Sequence, residues 1–229
     1  MPNILPKFWY FDSLKMTFLL ASYLFILFVC SYLVVRKYFT DGISVLFPMI
    51  ILTALFTEAC GYLLAKNGES NQNLYTCFLI ITICLITCYY FISSNSKLIR
   101  ISNISALLLM VTITIIQMIH FNEIILLTKQ MVLSSLLISL TSIISLLNIF
   151  NSSNKIILKN NPHFWLSVNF LLFWSILFFS FQFRMSISVQ FPKLKSVLQI
   201  IITLIAIVYY SVFTFVICHF KDFTPYDRK

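Results

Sequence analysis

The apolar positions fall into seven long blocks, at about 16–35, 43–65, 74–93, 102–121, 131–150, 164–183 and 196–219. Charged or turn-forming residues close each block, for example Arg36–Lys37, Lys66 with Asn67–Gly68, and the run from Asn151 to Asn154. A helix needs about 20 apolar residues to cross roughly 30 Å of hydrocarbon, and every block is near that length. Inside hydrocarbon each backbone amide must be bonded within its own segment, which predicts α-helices. A membrane β-barrel would show segments of about 10 residues with alternating polarity, and these blocks do not alternate. The pattern predicts an all-α polytopic membrane protein, with seven transmembrane helices in one compact bundle and a single domain over residues 1–229.

Composition points the same way. The chain is 60% hydrophobic and 10% charged, with a mean hydropathy of +0.94. A soluble domain is about a quarter charged, so a water-soluble globule is excluded. The connections run to roughly 7 to 13 residues, so no kinase, ATPase or other nucleotide-driven domain is expected. Gly42, Gly61 and Gly68 are the only glycines, and neither a P-loop nor a GxGxxG pattern occurs. Lys7 and Lys15 precede the first block, but no small-residue cleavage site follows it. It reads as a retained helix with Phe8, Trp9, Tyr10 and Phe11 as an interfacial anchor.

The 16 lysines and arginines set the expected orientation. Nine fall in the loops after blocks one, three and five and in the tail, against seven on the other side. The positive-inside rule then puts the amino terminus outside and the carboxyl terminus in the cytoplasm. Topology and anionic lipid headgroups account for the net charge of +9. Membrane lipid is thus an expected partner and nucleic acid is not.

Of the seven acids, Glu58 alone lies at the depth of a helix. An ionisable group there normally faces protein or a water-filled cavity. Ala54, Glu58, Gly61 and Ala65 share one helical face by their spacing, and small residues let neighbouring backbones approach. Glu58 is therefore expected to point inward, as a proton, cation or ligand site, or more plainly as a carboxyl hydrogen-bonded between helices. Block seven carries a polar or small stripe of Gln199, Thr203, Ala206, Tyr210 and Thr214. Block four offers Thr114, Gln117 and His120, and block six Trp165 and Asn169. The ligand or ion candidates are thus Glu58, Gln117, His120, Asn169, Gln199, Thr203 and Tyr210, around a shallow polar cavity with Glu58 at its base. Ala54, Gly61, Ala65 and the row Ser135, Ser139 and Ser142 are expected to serve helix packing.

Other chemistries find little support. Cys77, Cys84 and Cys88 share a face of block three, but the three histidines belong to other blocks. No metal site or cofactor is expected, and cysteine as a small hydrophobe accounts for the stripe. HExxH and GxGD are absent, and block seven has no lysine for a retinal Schiff base. Only Pro48 lies well inside a block, where a kink ten residues before Glu58 is expected. Asn161 followed by Pro162 reads as the N-cap and first position of helix six.

The segment Asn161-Pro162-His163-Phe164-Trp165, Thr57-Glu58 on helix two, and Asn73-Leu74-Tyr75 entering helix three carry a resemblance. With them the chain resembles small seven-helix membrane proteins of unknown function from Bacteroidota, along nearly its whole length. The resemblance implies a bacterial cytoplasmic (inner) membrane and an association with signalling genes, but no chemistry. The family pattern has a second carboxylate one helix on from the first, where this chain has Thr82. Its helix-six glycines and tyrosine are also replaced here, around Val168 to Trp174.

Three readings follow. The first is a non-enzymatic membrane module that senses or signals through a separate protein partner. The second is a small transporter, channel or oligomeric pore using Glu58 as its intramembrane polar site. The third is an intramembrane lipid-modifying enzyme using Glu58 with His120 or Tyr210. No nucleophile–base or metal constellation supports the third, so no catalytic residue is assigned.

Overall fold

A computed structural model describes residues 14–94, 96–120, 123–151, 158–187, 192–220 and 223. These form seven α-helices: α1 (Leu14–Asp41), α2 (Leu46–Lys66), α3 (Gln72–Ser93), α4 (Lys97–His120), α5 (Glu123–Asn151), α6 (Pro162–Ile187) and α7 (Pro192–His219). A 3-10 turn (Leu158–Asn160) precedes α6, and the described residues contain no strand. Each apolar block is a helix, as the pattern predicts. Several run further than their block, because a chain that leaves the apolar stretch can stay helical. Lys37 and Asp41 extend α1 with an i,i+4 ion pair at 2.5 Å, and Glu123 and Lys129 lie within α5.

Local chemistry sets the ends. Gly42 (φ +63°) follows α1 and donates its N–H to the Tyr38 carbonyl at 3.0 Å. Gly68 (φ +83°) closes α2 in the same left-handed conformation, which glycine adopts without a Cβ clash. Asn161 caps α6, its Oδ1 accepting the N–H groups of His163 at 2.9 Å and Phe164 at 3.3 Å. Pro48 makes no kink inside a span. Since α2 begins at Leu46, Pro48 lies in its first turn, where a missing N–H interrupts no helical bond.

Helix contacts run in a circuit from α1 to α2, α3, α5, α6 and α7 and back to α1, with α4 outside it against α3 and α5. Leu27, Ile51, Ile83, Leu166, Phe170 and Phe213 are fully buried at the centre. Large apolar side chains also point outward, among them Phe18, Phe25, Phe56, Phe179 and Phe215. A soluble monomer seldom exposes so much contiguous apolar surface. Six helices, α1 to α3 and α5 to α7, are long and apolar enough to cross a membrane among the described residues. The chain is a multi-pass membrane protein. The side chains of α4 are described only in part.

Asn161 holds two of the first amides of α6, so Asn161→Ala is expected to cost about 1 kcal/mol. Thermal melting in detergent checks this, and an unchanged midpoint would show that the cap contributes nothing.

Candidate functional site

Glu58 lies two turns before the end of α2, half-buried, on the face shared with the buried residues Ala54, Gly61 and Ala65. Two tyrosines from neighbouring helices meet its carboxyl. Tyr23 of α1 donates its hydroxyl to Oε1 at 3.3 Å, and Tyr75 of α3 donates to Oε2 at 2.8 Å. Each oxygen thus accepts one phenolic O–H, the arrangement a carboxylate makes.

Gly61 explains how Tyr75 comes so near. A Cβ built on Gly61 would lie 2.9 Å from the Tyr75 hydroxyl and 3.2 Å from its ring. Only a residue without a side chain lets the phenol lie across α2 one turn beyond Glu58. Just before α3, Asn71 is buried and donates its Nδ2 to the Gly61 carbonyl at 3.3 Å. The bond fixes the start of α3 on the same stretch of α2.

Beside this triad is a cavity of about 90 Å³. One water needs roughly 10–15 Å³ on that measure, so several waters or a small organic molecule fit. Every helix of the circuit contributes: Tyr23, Glu58, Tyr75, Ser135, Trp174 and Thr203 are among the lining residues. No α4 residue is, among the described ones. Most of the wall is apolar or aromatic, with Phe78, Phe173, Phe181, Tyr209 and Tyr210 adding rings. None of the described lining residues is basic. The lining comes mainly from the parts of α3, α5 and α7 near their starts and of α6 near its end. The cavity therefore lies towards the end of the molecule that carries the α2–α3 and α6–α7 connections.

The opposite end is filled by rings. Phe47 lies 4.9 Å from Phe223 and 5.7 Å from Tyr89, and Phe170 packs within 6.2 Å of Phe213. Polar groups there face one another. Tyr89 and His163 Nδ1 are 2.7 Å apart, and Tyr90 donates to Ser142 at 2.9 Å and to Ser167 at 3.3 Å. No protein family, curated protein or solved structure matches this chain. Its site must be read from its own geometry.

That geometry gathers Glu58, Gln199, Thr203 and Tyr210 on one cavity. Gln199 Nε2 is buried without a hydrogen-bond partner among the described residues. Asn169 is placed differently. Its Nδ2 donates to the Tyr209 carbonyl at 3.1 Å, so its amide ties α6 to α7 and does not line the cavity. Trp165 is likewise outside the cavity, exposed, with its indole N–H on the Lys159 carbonyl at 3.1 Å. The side chains of Thr114, Gln117 and His120 lie outside the described ones.

The packing residues are buried. Ser142 takes the Tyr90 bond, Ser139 pairs with Ser175 at 3.2 Å, and Ser135 both packs and lines the cavity. The cysteine stripe faces outward at Cys77 and Cys88, with Cys84 half-buried. Sequence spacing did not single out Tyr23, Tyr75, Trp174 or the Tyr89–His163 pair, because an aromatic in an apolar block looks like ordinary core. The one available signal was Gly61, a helical glycine one turn from an acid at helix depth.

Gly61→Ala is expected to push Tyr75 off Glu58 and to destabilise the protein by about 1–3 kcal/mol. In a double-mutant cycle, Glu58→Gln and Tyr75→Phe should couple by about 1 kcal/mol or more, and Glu58→Gln and Tyr90→Phe should not. Thermal melting of the three single variants and two doubles gives both numbers. Equal coupling for the two pairs would remove the Tyr75 bond from the account.

Proposed function

We propose that this protein is a non-enzymatic sensing module of a bacterial cytoplasmic membrane. It takes a small molecule into the Glu58 cavity and passes the occupied state to a separate protein partner. The supporting observation is the cavity itself: it is formed by six helices, carries one carboxyl on two phenols, and ends against packed rings. The helix pattern supports seven spans, with α4 as the outermost. The distribution of lysine and arginine supports an outside amino terminus, and the cavity then lies in the outer half of the membrane. The resemblance to the Bacteroidota proteins supports the bacterial inner membrane and a signalling context.

A ring-filled end favours a receptor over a pore. Rings such as Phe47, Tyr89, Phe170 and Phe213 occupy the continuation of the cavity, and a conduction path would have to displace them. Among the described residues the hydrogen bonds to Glu58 come from two phenols, which lends no support to turnover of a lipid.

Photo-crosslinking in native membranes is expected to recover a second, distinct protein. Recovery of this chain alone would overturn the signalling role. In liposomes the wild-type protein is expected to carry no flux of small ions above empty vesicles. Flux that Glu58→Gln abolishes would replace this reading with transport. A cysteine introduced beside Lys66 should be labelled by an impermeant reagent from outside the cell, and labelling only after lysis would reverse the orientation.

A further inference from the structure

The cavity has a chemical character that narrows what it holds. Its one ionisable group of low intrinsic pKa is Glu58, and none of the described lining residues is basic. A carboxylate offers about four lone-pair sites, and the hydrogen bonds from Tyr23 and Tyr75 occupy two. The two phenols donate to the carboxyl and bring no opposite charge to it. A carboxylate kept out of water is costly unless paired, and none of the described lining residues supplies a cation.

Two of the remaining hydroxyls act as acceptors, while Gln199 Nε2 and Trp174 Nε1 are buried donors on the same wall. Ser135 gives its proton to the Met131 carbonyl at 2.6 Å, and Thr203 gives its proton to the Gln199 carbonyl at 2.9 Å. Their oxygens keep lone pairs free. The rest of the wall is apolar, and Tyr23, Tyr75, Phe78, Phe173, Trp174 and Tyr210 bring rings to it among aliphatic side chains such as Leu79 and Leu177. Ring faces attract cations, most strongly when the cation sheds its water.

A metal ion does not fit this set. Hard cations take about six to eight oxygen ligands or keep several waters. Here one carboxylate stands among rings, and no cluster of three or more His, Cys, Asp or Glu occurs among the described residues. A weakly hydrated organic cation fits, because its alkyl groups match the rings and its charge matches the carboxylate. From the single carboxyl and the rings around it together, we infer that the Glu58 cavity binds a small alkylammonium group. This deepens the sensing role proposed above and rests on it.

Choline and its neutral carbon isostere dimethylbutanol have nearly the same shape, so they separate charge from fit. Binding of each is measured by calorimetry on the wild-type protein in phosphatidylglycerol nanodiscs. Choline is expected to bind about tenfold or more tightly than the isostere. Glu58→Gln should weaken choline by a similar factor and leave the isostere within about twofold. Equal binding of the two probes, preference for the isostere, or binding of neither would overturn the inference. The wild-type comparison decides this even if Glu58→Gln fails to fold. Replacing part of the lipid with phosphatidylcholine supports the inference either way choline binding responds. Competition assigns the ammonium to a lipid headgroup, and unchanged binding assigns it to a free solute. Partner capture in native membranes is measured separately, so a failure of cation binding is distinguishable from a failure of the sensing role.

Discussion

A carboxyl at membrane depth must find its hydrogen bonds in the protein, because hydrocarbon offers none. Glu58 meets that demand with one phenol from α1 and one from α3, and three helices are thereby fixed around one side chain. The requirement reaches beyond the acid. Tyr75 can reach it only because Gly61 leaves its space empty, and Asn71 holds the entry to α3 on the carbonyl of that same glycine. The α2–α3 pairing is thus specified by polar bonds between apolar surfaces. In a membrane, where lipid tails are as apolar as leucine, such bonds and close backbone approach must set which helices pair.

The two ends of the helix circuit solve different problems. Around Glu58 the walls stand apart and leave space. At the other end, rings and hydroxyls interlock: Tyr90 joins α3 to α5 and α6 through Ser142 and Ser167, and Ser167 donates on to Ser145 at 3.3 Å. Much of the α5–α6 contact is a seam of serines, which lets the two helices approach closely. Tyr209 lies between the two regimes. Its ring stacks on Phe173 at 4.0 Å beside the cavity, and its carbonyl accepts the Asn169 amide on the way to the packed end.

Much of this was legible in the residues. Apolar length alone placed the seven helices, because backbone satisfaction in hydrocarbon allows one solution per block. Spacing put Glu58 with Gly61 and Thr203 with Tyr210, since a face follows from periodicity within a helix. What periodicity does not carry is which helix lies opposite. Asn169 has the right face for a buried amide, yet its bond goes to the α7 backbone. The position of α4 outside the circuit was equally hidden, because its hydropathy resembles that of the others. The phenols at Glu58 went unread for the same reason: Tyr23 and Tyr75 are identified only once α1 and α3 are known to flank α2.

The rings packed at the far end give the chamber beside Glu58 a floor. On the sensing role proposed above, a ligand that enters away from that floor would also leave away from it. Its residence would then follow the solution on one face of the bilayer.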